Sequence, residues 1–120
     1  MTSSSRPGRS RSRRLGFVVG LVAIATLAAC VGADTPEVTN GDPRLEEGRS
    51  LYISNCASCH GGAGGGGRGT KLADGAVVAA LTEAEQITVV ADGRGSMPAF
   101  SGRLDAEEIE AVVAYTREVL

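Results

Sequence analysis

His60 is the only histidine in the chain, and it stands directly after the second of two cysteines in Cys56-Ala57-Ser58-Cys59-His60. Chemistry that needs imidazole, or sulfur beside it, therefore has to happen in this pentapeptide. The inventory limits that chemistry. A structural zinc site takes four nitrogen or sulfur ligands, and an iron–sulfur cluster usually takes four cysteines. This chain has three cysteines, the third being the distant Cys30. Any Cys-His or Ser-His-Asp catalytic site would have to use His60, wedged beside Cys59. C-x-x-C also serves disulfide exchange, but that chemistry is expected near a βαβ pattern, and no stretch here reads as a convincing strand. A purely structural Cys56–Cys59 bridge would leave His60 without a task.

C-x-x-C-H is the signature of c-type haem attachment. Each cysteine adds across one vinyl group to form a thioether, and the adjacent histidine is held under the iron. Two intervening residues match the separation of the vinyls when the segment is helical. Haem iron in electron carriers commonly takes a methionine sulfur opposite the histidine. Apart from Met1, the chain has only Met97. Met97 lies in Gly93-Arg94-Gly95-Ser96-Met97-Pro98-Ala99-Phe100, after a glycine-rich turn and outside any predicted helix. Glycine lets the backbone pass close to a planar ligand, and Pro98 stiffens the loop. Cys56, Cys59, His60 and Met97 are thus the candidate haem-binding residues, with His60 and Met97 as iron ligands. Lys71, the only lysine, is a remote alternative to Met97.

Composition makes a cofactor structurally welcome. The 120 residues include 17 glycines and only four aromatics, Phe17, Tyr52, Phe100 and Tyr115. A small domain is marginal without a staple, and this one has little to build a core from. One covalent haem c, a large flat apolar body, supplies it. The domain is expected not to fold stably without it.

The charge is divided along the chain. Five arginines and no acid occupy residues 1–14, whereas all 14 acidic residues lie from Asp34 onward. Residues 15–29 are apolar or small apart from Thr26, and a basic start before such a run is the pattern of a secretory signal. Leu27-Ala28-Ala29-Cys30 resembles the lipobox of bacterial lipoproteins, which implies a signal peptide over 1–29 and acylation of Cys30. The same resemblance accounts for the odd cysteine. An uncleaved anchor is the alternative, since residues 15–33 carry no charge and approach the ~20 needed to span a bilayer. Either way the domain is exported and held at a membrane on its extracytoplasmic face. Residues 30–42 then read as a flexible tether, polar with Pro, Gly and Asn, and 43–120 as the folded domain.

Three helices are legible in that domain. Asp42 caps the first, with Pro43 at its first position, and Leu45, Gly48 and Tyr52 share a face. Thr82 and Glu85 form a capping box ahead of Ala84, Ile87 and Ala91, and Gly93 stops that helix. Asp105 and Glu108 repeat the device less strictly before a stripe of Ile109, Val112, Val113, Thr116 and Leu120. A weaker helix covers Ala76–Leu81. Gly61–Gly69 reads as a loop too flexible to order itself.

Taken together, these residues resemble a class I cytochrome c of the short bacterial monohaem kind. The shared elements are Gly48 and Tyr52 ahead of Cys56-Ala57-Ser58-Cys59-His60-Gly61, then Met97-Pro98-Ala99-Phe100, then Glu107-Glu108-Ile109 and Tyr115. The resemblance implies an all-α cytochrome c fold, three to four helices wrapped around one covalent haem, with the first and last helices crossing near Gly48 and Tyr115. The family usually has a proline between the haem motif and the methionine loop, whose carbonyl accepts the hydrogen bond from the ligand histidine. Here no proline lies between His60 and Pro98, and Thr70-Lys71-Leu72 occupies the place. A carbonyl among residues 69–71 is left to serve.

The expected function is one-electron transfer by an electron carrier that is not itself an enzyme. Its partners are redox proteins of a respiratory or other extracytoplasmic chain, and its N-terminal lipid meets the membrane. Alternatives are a haem-c subunit of a larger oxidoreductase, or a haem gas sensor or peroxidase, which would need Met97 to leave the iron. Acids gather on the terminal helices, whereas Arg68, Lys71, Arg94 and Arg103 fall on segments expected to rim the haem. Nucleic-acid binding finds no support, because the basic run lies in the export segment.

Overall fold

The computed structural model describes Met1 and residues 34–120. Residues 1–29, read above as a signal peptide, and Cys30 lie outside the described residues, Met1 excepted. Five helices follow in order: α1 (Pro43–Asn55), α2 (Ala57–His60), α3 (Ala76–Ala80), α4 (Glu83–Asp92) and α5 (Ala106–Glu118). Among the described residues there is no strand, only one isolated bridge between Arg94 and Met97. None of these helices is long and apolar enough to cross a membrane.

The helix starts follow local chemistry. The Asp42 carboxylate accepts from the Arg44 amide at 2.9 Å, with Pro43 next in line. This satisfies amide groups that a first turn otherwise leaves orphaned. Thr82 and Glu85 close a full capping box. Asp105 and Glu108 also close one, with both reciprocal bonds at 2.9 Å, so this start is stricter than the sequence implied.

α1 and α5 cross at van der Waals contact, because a Cβ at Gly48 would sit inside the Ala111 carbonyl. Beside the crossing, the fully buried rings of Tyr52 and Tyr115 stack with centroids 5.7 Å apart and a 46° tilt. α5 is buried more widely than a single stripe predicts. Ile109 and every residue from Ala111 to Thr116 are buried, while Leu120 is only partly so. The helix runs through the middle of the domain, with α1 and α4 both packed on it.

α4 corrects its predicted face. Gln86 and Val90 are the buried positions, Ile87 and Ala91 are partly covered, and Ala84 is exposed. The helix is turned by a polar contact: Gln86 Nε2 donates to Thr116 Oγ1 at 2.7 Å. A buried amide needs such a partner, and that requirement outweighs the apolar spacing.

Two segments expected to be loose are held from outside. In the glycine loop, the Gly64 carbonyl accepts from Leu72 and Ala73 at 2.9 and 3.1 Å, and the Gly66 amide donates to the His60 carbonyl at 2.8 Å. Gly64 and Gly66 adopt φ of +69° and +97°, which favours glycine. The Gly64–Gly67 run, otherwise without an evident role, therefore folds the loop back onto the haem motif. The second half of the expected tether likewise departs from a free linker. Thr35 is buried, and the Pro36 carbonyl accepts from Arg49 and from Tyr115.

Candidate functional site

The helical turn α2 carries the pentapeptide. Cys56 ends α1 and starts α2, so the two cysteines sit one turn apart and His60 closes the helix. Tyr52, one turn upstream, donates from its hydroxyl to the Gly61 carbonyl at 2.6 Å and so pins the residue after the motif. Burial holds that hydroxyl well above its usual pKa, with Cys56 and Tyr115 adding to the effect. Burial also pushes the Cys56 thiol up to about 11, with Cys59 contributing.

His60 Nδ1 lies 2.8 Å from the Thr70 carbonyl oxygen. A carbonyl can only accept, so Nδ1 is the donor, and in the neutral ring Nε2 then keeps a free lone pair. Among the three carbonyls left open by the missing proline, the structure selects Thr70. The ring is flanked by Gly69, where a Cβ would lie 2.6 Å from both Cε1 and Nδ1.

Met97 sits in a turn closed at both ends. The amides and carbonyls of Arg94 and Met97 exchange bonds at 3.1 Å, with Gly95 at φ +62° between them. Gly93 ends α4 at φ +76°, and a Cβ there would fall 2.6 Å from the Met97 carbonyl.

Cys56, Cys59, His60 and Met97 all line one cavity of about 650 Å³. Its walls include Leu72, Val77, Val90, Phe100 and Val113. Arg68, Lys71, Arg94 and Arg103 also line it, whereas no aspartate or glutamate does. Arg103 stacks over the Phe100 ring at 4.8 Å. Thus the four predicted site residues, and the four cations placed at the rim by sequence alone, converge on the same space. Lys71 pairs with Asp74 at 2.7 Å.

Two lining residues escape a reading of the sequence as a haem site. Gln86 and Thr116 form a buried polar pair in the wall. Arg117 backs it, donating to the Gln86 side-chain carbonyl at 3.1 Å and to the Leu81 carbonyl at 3.0 Å. The available signal was Thr116 within an apolar stripe, because a buried hydroxyl implies a partner.

The donor set fits haem c. Two sulfurs lie a turn apart, an imidazole presents a free Nε2, and one thioether shares an apolar cavity of ligand size. A carbonyl that accepts from the other ring nitrogen in this way fixes the tautomer of a ligating histidine.

Comparisons with known proteins agree. A family model described as cytochrome C oxidase, cbb3-type, subunit III matches residues 43–115. Cytochrome c6 of Bryopsis maxima is 40% identical over 81 residues, covering 59% of this chain and 86% of that protein. The cbb3-type cytochrome c oxidase subunit FixP of Bradyrhizobium diazoefficiens is 34% identical over 77 residues, which cover 61% of this chain and 27% of the subunit. Among solved structures, the c-type cytochrome NirC aligns with a TM-score of 0.55 and 30% identity, covering 64% of this chain and 93% of that one.

Proposed function

Because the chain belongs to the class I c-type cytochromes, in the family described as cytochrome C oxidase, cbb3-type, subunit III, we propose that it is a membrane-tethered, extracytoplasmic carrier of single electrons. The cofactor is one covalent haem c, which supplies a reversible one-electron couple. In this reading Cys56 and Cys59 would hold it by thioethers, and His60 Nε2 and Met97 Sδ would ligate its iron.

The observation that carries the reading is the convergence of these four residues on one cavity, with the His60 tautomer set by Thr70. With His60 and Met97 both engaged as iron ligands, a small ligand would find no vacant place. The Met97 loop is braced on both sides, which favours transfer with little rearrangement. A neutral methionine sulfur raises the potential, so the midpoint is expected to be positive. The cations around the cavity and the acid-free lining favour an acidic patch on the partner, since complementary charge steers encounter. Arg94→Glu should slow reduction by that partner, and raised salt should erase the difference.

Export and attachment rest on the basic, apolar and lipobox-like N-terminus. Two acyl chains on Cys30 would hold the protein through buried CH2 groups. Mass and visible spectra of the membrane-extracted protein test cofactor and anchor together. The expected mass is the chain from Cys30 with one haem and lipid. A mass that retains residues 1–29 rejects the lipoprotein, and one without haem rejects the carrier.

A second reading has its own support. The family description and the FixP relative are oxidase subunits, so this domain would serve one fixed complex. A carrier leaves detergent-extracted membranes alone; a subunit co-purifies with its complex.

A further inference from the structure

Residues 35–37 are gripped by two side chains from different helices. Arg49 on α1 donates from Nε to the Pro36 carbonyl at 2.9 Å and from Nη2 to the Thr35 carbonyl at 3.0 Å. The same Nη2 pairs with the Glu37 carboxylate at 2.6 Å, and the Arg49 side chain is only 18% exposed. Tyr115 on α5 donates from its hydroxyl to the Pro36 carbonyl at 2.7 Å. Thr35 is 3% exposed, and a Cβ on Gly62 would touch Asp34 and Thr35. The strap therefore ends beside the residue that follows the haem motif by two positions. None of residues 34–40 lines the haem cavity.

We propose that Arg49 and Tyr115 clamp residues 35–37 to the domain, so that a chain anchored at Cys30 leaves it at one point beside Gly62 and holds it close to the bilayer. The inference rests on the anchor reading above. With the clamp closed, the chain from Cys30 to Thr35 spans at most about 18 Å. With it open, the first helical residue is Pro43, and the reach grows to about 47 Å. The clamp thus sets how far the haem domain travels from the membrane, and it leaves the basic rim of the cavity uncovered.

Glu37 is the first glutamate after Cys30, which makes a glutamate-specific endoprotease a probe of the clamp. Cleavage of a locally opened segment tracks the open population. The full-length holoprotein is compared with Arg49→Ala and Tyr115→Phe, in phosphatidylcholine vesicles and in detergent. The visible spectrum confirms that each variant is folded around its haem. Tyr115→Phe keeps the buried ring and removes one bond, so it tests the clamp even where Arg49→Ala fails to fold. The expected result is slow cutting after Glu37 in the parent, at least tenfold faster in Arg49→Ala and several-fold faster in Tyr115→Phe. In vesicles, cutting releases the haem domain to the supernatant. Equal rates in the three proteins overturn the clamp. Uncut protein that fails to sediment with vesicles overturns the anchor and the short reach. Protection that persists in detergent then still establishes the clamp.

Discussion

Gly69 lies flat against the ring of His60, so close that a Cβ at position 69 would come within 2.6 Å of both Cε1 and Nδ1. The next residue, Thr70, accepts the Nδ1–H hydrogen bond with its carbonyl. Backbone rather than side chain therefore orients the imidazole. Gly69→Ala should push the ring off the Thr70 carbonyl. The expected outcome is a loss of about 1–3 kcal/mol in stability, typical of overpacking, together with weakened histidine ligation. Denaturation followed by haem absorbance measures both, and an unaltered spectrum and midpoint would refute the assignment.

Gly48→Ala tests the helix crossing. The added Cβ would occupy the space of the Ala111 carbonyl, which is backbone and cannot swing away. α1 and α5 must separate, disturbing the Tyr52–Tyr115 stack between them. A destabilisation of at least 1–3 kcal/mol is expected, read as a lower denaturant midpoint. A neutral substitution at this position would mean that the helices do not approach this closely in solution.

Met97→Ala should lower the midpoint potential, because the neutral sulfur favours the ferrous state relative to an anionic ligand. It should also admit carbon monoxide to the ferrous protein, which the parent is expected to exclude. Redox titration and carbon monoxide difference spectra measure the two effects. Potential and carbon monoxide binding both unchanged would remove Met97 from the iron.

Preventing haem attachment should unfold the domain. Leu72, Val77, Val90, Phe100 and Val113 line a cavity of about 650 Å³, and without haem these apolar walls have nothing to pack against. A small domain has only about 5–15 kcal/mol of net stability to lose. The full chain carrying Cys56→Ser and Cys59→Ser, made without haem, should show no cooperative thermal transition by circular dichroism. A sharp transition would show that the helices hold the fold unaided.

High pH should weaken the fold. Burial is the first cause that raises the pKa of Tyr52 and of Tyr115 above the ordinary value of 10.0. The unfolded chain therefore releases these protons first as the pH rises. It then binds fewer protons than the native state, and stability falls with pH. The contribution is complete below pH 10 and declines above it, by up to about 1.4 kcal/mol per pH unit for each tyrosine. Denaturant midpoints measured from neutral pH to about pH 11 follow the decline, and Tyr115→Phe should make it shallower.

Much of the protein was legible from residues alone. Asp42-Pro43, Thr82 with Glu85 and Asp105 with Glu108 are local instructions, satisfied by bonds within one turn. The same holds for the haem motif, where Cys56, Cys59 and His60 need only one helical turn to be aligned. Gln86 was missed because its burial depends on Thr116, thirty residues away. The face of α4 followed that bond, and not its own periodicity.

The sequence by itself determined the cofactor chemistry, the helix starts and the identity of Met97 as the one available thioether, because each depends on residue type and short-range spacing. Only the tertiary structure decided that Thr70 accepts the His60 hydrogen bond, how the Gly64–Gly67 run is used, and that residues 35–37 are docked. Those contacts join segments far apart in the chain or depend on backbone carbonyls, which every residue has. Side-chain identity carries no mark of which carbonyl a fold will bring within reach.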